Sequence, residues 1–147
     1  NALNDIEVLS LHKGFSTMMN IWLKVNSGTN HRLGIIRDFD NQSKAKQRHE
    51  KYNEYENIYV TTTTEYTLEP EFVKTADNYA KLEPYFEEVH GWTDIDTPDK
   101  LSDKWRAAKT DTMLRFCQDI GTDYLKDIEL PKHIKSVLKF LQSGVKE

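Results

Sequence analysis

Apolar residues fall along the chain in a few short runs and several helical stripes. Ile6-Glu7-Val8-Leu9-Ser10-Leu11 is β-branched at its start and is stopped by His12-Lys13-Gly14, which predicts a strand ending at a glycine turn. Phe15, Met18, Met19, Trp22 and Val25 then recur at three- and four-residue intervals, the spacing of one buried helical face, until Asn26-Ser27-Gly28 ends the pattern. This stripe reads as core packing. Leu33-Gly34-Ile35-Ile36 is a continuous apolar run, the mark of a strand covered on both faces, and Arg37-Asp38-Phe39-Asp40 follows at once. Strand, helix and strand in that order predict a parallel βαβ unit.

A polar stretch with Lys44, Lys46, Arg48 and Lys51 leads to Asn57-Ile58-Tyr59-Val60-Thr61, a third predicted strand that the threonines to Thr64 extend or leave as a loop. Glu65 to Glu69 then meets Pro70, a favoured helix-start residue. Beyond this point the pattern is helical. Tyr79, Leu82, Tyr85, Phe86 and Val89 share a face that His90-Gly91 ends. The acidic turn Asp94 to Pro98 leads to a helix carrying Met113, Phe116, Cys117 and Ile120, closed by Gly121. Ile134, Val137, Leu138 and Leu141 mark a last helix that Pro131 starts. The expected fold class is α/β, a small parallel sheet flanked by helices with a helical C-terminal part. The expected division is an α/β core over residues 1–82 and a helical extension over 83–147 packed on it.

Composition narrows the choice. At 147 residues and 37% apolar, the chain suits one modest core, and 11% aromatic residues exclude a disordered tail. Cys117 is the sole cysteine, so neither an internal disulfide nor a cysteine-based structural zinc site can form, and a reducing, cytoplasmic compartment is expected. No apolar run approaches the roughly 18 residues of a membrane span. The net charge of −4 argues against a general attraction to polyanions, but it hides an uneven spread. Residues 65–103 hold eleven acids and three lysines, Lys104 to Arg115 holds four basic residues and one acid, and Lys132 to Lys139 adds three lysines.

Asp38-Phe39-Asp40 is the strongest chemical signal. Ligands in parallel α/β sheets bind beyond the carboxyl ends of strands, and side chains two apart in an extended segment point the same way. Two carboxylates held there suit a hard divalent cation; a solvated strand-to-loop turn is the other reading. Glu69, with Glu71 close by, follows the next strand and could approach Asp38 and Asp40 to complete a two-metal site. For Glu71 the preferred reading is a helix N-terminal acid favoured by the dipole. Lys109, opening Lys109-Thr110-Asp111-Thr112, could neutralise charge on a phosphoryl oxygen or leaving group. The five histidines, His12, His31, His49, His90 and His133, lack ligand spacing. Ser10 and Cys117 have no evident base, and no glycine-rich nucleotide loop is present.

Gly14-Phe15 at a glycine turn, a strand running into Asp38-Phe39-Asp40, then Thr67-Leu68-Glu69, and Lys109 before an apolar helix together resemble the TOPRIM domain of OLD-family nucleases over most of the chain. The resemblance implies a partial TOPRIM-like fold and a metal-dependent DNA endonuclease domain, normally C-terminal to an ABC-type ATPase in bacterial or phage-defence proteins. By the same resemblance Asp38, Asp40 and Glu69 bind Mg²⁺ or Mn²⁺ in a two-metal site, and Lys109 assists cleavage. DNA is the implied substrate and an upstream ATPase domain the implied partner in the parent protein; a homodimer is a separate expectation. The family's Glu-Gly-x-x-Glu-like motif has no match before Ile6, and Thr67 stands where the family often has aspartate. With Asn1 at the start, the expectation is an excised piece lacking the first strand and its glutamate, weak or inactive by itself. Two other readings stay open: a haloacid-dehalogenase-like phosphohydrolase with Asp38 as nucleophile, although Gln42 departs from that motif, and a non-catalytic module binding DNA or protein through its basic helices.

Overall fold

A computed structural model of the chain describes residues 5–10, 14–108 and 110–147. Its sheet has two parallel strands, β1 (Leu33–Arg37) and β2 (Ile58–Thr62), in register from Leu33 opposite Ile58 to Arg37 opposite Thr62. Helices α1 (Phe15–Val25), α2 (Ser43–Glu50), α3 (Leu68–Lys74), α4 (Asn78–His90), α5 (Pro98–Ala107), α6 (Thr110–Asp119) and α7 (Lys132–Ser143) complete the described elements with a short 3-10 turn, Lys51–Glu54. The architecture is α/β, a small parallel sheet flanked by helices.

Alternation along the strands decides what covers each face. Ile58 and Val60 of β2, joined by Leu33 and Ile35 of β1, pack against Met19, Phe15, Trp22 and Leu23 of α1. Tyr59 points the other way, into Val137, Phe140 and Leu141 of α7. Gly34 lies opposite Tyr59, and there α7 comes so close that a Cβ on Gly34 would sit 2.5 Å from Cγ1 of Val137. Arg32, just before β1, donates to the carbonyls of Leu141 at 2.9 Å and Gln142 at 3.1 Å, placing positive charge at the C-terminal end of α7.

The second packing unit is helical. Phe72 and Val73 of α3, Leu82, Tyr85 and Phe86 of α4, Leu101 and Trp105 of α5 and Phe116 of α6 form one buried cluster with Ile95 and Leu125. Asn78, fully buried at the start of α4, donates to the carbonyls of Phe72 at 2.9 Å and Glu129 at 2.8 Å and accepts the N–H of Glu129 at 2.8 Å. A single side chain thus satisfies three backbone groups from two separate segments. The two units interleave in sequence: α7 serves the sheet, whereas α3 and the start of α4 serve the helical cluster.

Several expectations are corrected. Residues 6–10 form no strand, and Val8 (86%) and Leu9 (63%) are exposed. Leu11 to Lys13 lie outside the described residues. A β-branched run becomes a strand only where a neighbour pairs with it, so the parallel βαβ unit is β1–α2–β2 instead. Of the two strands β2 is the deeply buried one, since Ile36 of β1 is 44% exposed. The single helix expected after Pro98 is two helices, with Ala108 extended at the end of α5 (ψ 141°). Thr97 starts α5 by accepting the Lys100 N–H at 3.2 Å, with Pro98 in the first turn.

Replacing Gly34 with valine is expected to lower stability by about 1–3 kcal/mol through overpacking against α7, read by urea denaturation. Asn78→Ala removes the side-chain partner of three backbone groups and is expected to cost about 2–3 kcal/mol in the same measurement.

Candidate functional site

The chain turns sharply as it leaves β1, and Thr63, buried just beyond β2, holds the turn. Its N–H donates to the Arg37 carbonyl at 3.0 Å, its hydroxyl accepts the Phe39 N–H at 2.9 Å, and the same hydroxyl donates to the Glu65 carbonyl at 2.7 Å. The Asp40 N–H reaches the Tyr66 carbonyl at 3.0 Å. Asp40 and Asn41 are left-handed, with φ of 48° and 54°, a conformation that these two residue types tolerate best after glycine. The strand therefore ends at Arg37, and the turn, rather than an extended segment, sets where Asp38 and Asp40 point.

An open cleft of about 610 Å³ lies at this end of the sheet. Gly14 and Phe15 at the start of α1, Arg37, Asp38 and Asp40 after β1, His49 from α2, Leu68 and Glu69 from α3 and Met113 from α6 line it. Three of the expected acids thus share one cleft, which is where parallel α/β sheets gather ligands. Glu69 sits in the first turn of α3, held by a 2.7 Å hydrogen bond from the Thr67 hydroxyl to Oε2. Buried Pro70, Phe72 and Val73 anchor that helix. Glu71 does other work: its Oε1 accepts the N–H groups of Thr64 and, at 2.8 Å, Glu65. Lys109 lies outside the described residues.

Asp38 is the electrostatic focus. Its residue surface is largely open, yet desolvation at the carboxyl, then the charges of Asp40 and Glu69, raise its pKa from the ordinary 3.8 to about 6. The nearby Leu68 backbone N–H and the charge of Arg37 oppose the rise without cancelling it. Three carboxylates crowd one another here. Among the described residues, however, no three His, Cys, Asp or Glu side chains surround a single point as a ready cation cage.

Two cleft residues escape the sequence reading. His49 reaches the cleft from the last turn of α2, four residues after buried Ala45 and therefore on the same helix face. Its ring lies 4.0 Å from that of Phe15. Desolvation, followed by the charges of Arg37 and Arg48, lowers its pKa. Arg37 is the other. The signal available for His49 was the Ala45–His49 spacing, and it is faint because the rest of α2 is polar.

No family model, curated protein or solved structure matches this chain.

Because the folded-state pKa of Asp38 is raised, the fold binds its proton more tightly than the unfolded chain does. The associated stabilisation is present below about pH 4 and is lost as pH rises through about 6. Carboxyl carbon NMR should show Asp38 titrating near pH 6, Asp40→Asn should lower that midpoint, and Glu69→Gln should lower it less.

Proposed function

We propose that the chain is the TOPRIM-like nuclease part of an OLD-type protein, in which Asp38, Asp40 and Glu69 hold Mg²⁺ or Mn²⁺ for hydrolysis of DNA phosphodiester bonds. The observation that carries this reading is that the three carboxylates line one cleft at the carboxyl end of the parallel strands, where desolvation first and then the charges of Asp40 and Glu69 raise Asp38 to about pH 6. A structural acid is ordinarily neutralised by a partner, yet among the described residues none of the three forms an ion pair. A divalent cation would relieve the repulsion that the cleft builds in.

The donor set suits a hard cation. All three groups offer oxygen and no thiolate intrudes, since the lone Cys117 is a free, exposed thiol outside the cleft. Mg²⁺ commonly takes one or two carboxylates and keeps its other ligands as water, so the absence of a three-residue cage fits that mode. Asp38 and Asp40 are the proposed ligands, with Glu69 beside them. Bound there, the cation would supply Lewis-acid stabilisation of phosphoryl oxygen and a more acidic water. The protein's own part is to hold its carboxylates on a rigid turn and to keep Glu69 oriented through Thr67. Lys109 is proposed to assist cleavage. DNA as substrate, an upstream ABC-type ATPase domain in the parent, a possible homodimer and a cytoplasmic setting belong to the same proposal. No helix among the described residues is long and apolar enough to cross a membrane.

Calorimetric titration with Mn²⁺ tests the reading. Asp38→Ala and Asp40→Ala should each weaken binding by at least about tenfold, a loss of about 1.4 kcal/mol. Equal affinity in wild type and Asp38→Ala would remove Asp38 from the site. The Asp38 titration midpoint should also fall by about a unit or more when Mg²⁺ is present, because the cation favours the ionised carboxyl.

A further inference from the structure

Arg37 and His49 line the same cleft, and neither suits the cation just described. Arg37 closes β1 with the parity of Leu33 and Ile35, so its side chain leaves the sheet on the α1 face, toward Phe15. Its Nη1 and the Nδ1 of His49 are both shut off from solvent, and neither has a hydrogen-bond partner. Buried polar groups are nearly always bonded, and leaving one unmet costs about 1–3 kcal/mol, more when it is charged. The guanidinium nitrogen calls for an acceptor, and the His49 ring, which donates from whichever nitrogen carries its proton, is a second unmet polar group in the same cleft.

The neighbouring acids do not supply it. Arg37 enters no salt bridge among the described residues, and its field on Asp38 is the weakest of the influences there. Arg37 and His49 line the same cleft, and the charge of Arg37 helps to lower the His49 pKa. The cleft therefore has two poles, carboxylates on one side and an unpaired guanidinium with an imidazole on the other. A divalent cation answers only the first. What answers the second is an anion with several acceptor oxygens, for which a guanidinium fork is the favoured partner.

We propose that Arg37 and His49 are the anion-receiving half of the cleft, binding the non-bridging oxygens of a phosphodiester group while the acids hold the cation. This rests on the hydrolytic reading of the same cleft and assigns the substrate-positioning groups within it. Arg37 offers its guanidinium fork to one oxygen, and His49, its ring packed against Phe15, offers a ring N–H to another. The pair thereby fixes the phosphorus beside Asp38 and Asp40.

The test separates binding from cleavage. Fluorescence anisotropy of a labelled DNA duplex, with Ca²⁺ replacing Mg²⁺, is read for wild type, Arg37→Gln, Arg37→Lys, His49→Gln and, as a control on the exposed face of α2, Lys44→Ala. Affinity should fall about tenfold in Arg37→Gln and about threefold in His49→Gln, Arg37→Lys should recover only part of the loss, and Lys44→Ala should match wild type. Mn²⁺ affinity without DNA should be unchanged in all of them. The melting temperature of Arg37→Gln should hold or rise, since an unmet buried donor is removed; a purely structural arginine would lower it. Inorganic phosphate should compete with DNA weakly in wild type and not in Arg37→Gln. Strong competition by phosphate, with DNA affinity unmoved by Arg37→Gln, would overturn the diester assignment in favour of a small phosphate ligand. DNA affinity within about twofold of wild type in Arg37→Gln and His49→Gln alike would overturn the proposal. Loss of Mn²⁺ binding in Asp38→Ala alongside that second outcome leaves the cation reading standing, so the two ideas fail separately.

Discussion

Two parallel strands cannot stand alone in water. Each has one ladder partner and two open faces, so the sheet persists only if helices cover both. Here α1 takes the face of Ile58 and Val60, and α7 takes the face of Tyr59. The fit of α7 depends on the absent side chain at Gly34, which lets its Val137 and Leu141 reach the strand backbone. Everything at the carboxyl end of the sheet inherits this support. With β1 and β2 locked in register, Arg37 and Thr62 end at one level, and Thr63 can tie the two departing chains together.

The cleft draws on both packing units. Asp38 and Asp40 belong to the sheet, whereas Glu69 stands on a helix whose Phe72 and Val73 are sunk in the helical cluster. That cluster has its own polar lock, in which Asp119 accepts from Tyr85 at 2.9 Å and from Arg115 at 2.6 Å, so its buried carboxylate stays ionised below the usual carboxylate range. The contrast with Asp38 is informative. Asp119 has an arginine and a phenol; Asp38 has a desolvated carboxyl with two other acids beside it. Similar groups are thus tuned in opposite directions by their surroundings.

Much of this was legible in the residues, and the exceptions have physical causes. Helix α1, both strands, the end of α4 at left-handed Gly91 and helix α7 follow from periodicity and breakers, because burial there is one-sided or continuous. Helix α2 has only Ala45 in the core, and α5 only Leu101, Ser102 and Trp105, so neither offers a stripe. The segment at residues 6–10 had strand chemistry without a strand to pair with. In the cleft, an Asp-x-Asp after an apolar run announced itself through topology, and Glu69 through the order of strand ends. Arg37 and His49 did not, since it is the crossover that brings their unmet nitrogens into one cleft, a property that no single-chain pattern carries.

The placement of α7 has a consequence in time. Emerging from a ribosome, the segment carrying β1, α2 and β2 is complete long before residues 132–143 appear, and until then the Tyr59 face of the sheet has no cover. The contact between Gly34 and Val137 spans about a hundred residues of chain, so the loop closure that seals the sheet is entropically the most demanding in the fold. The nascent cleft would remain loose until α7 has emerged, and a chain terminated before it would carry Asp38, Asp40 and Glu69 without the scaffold that aims them.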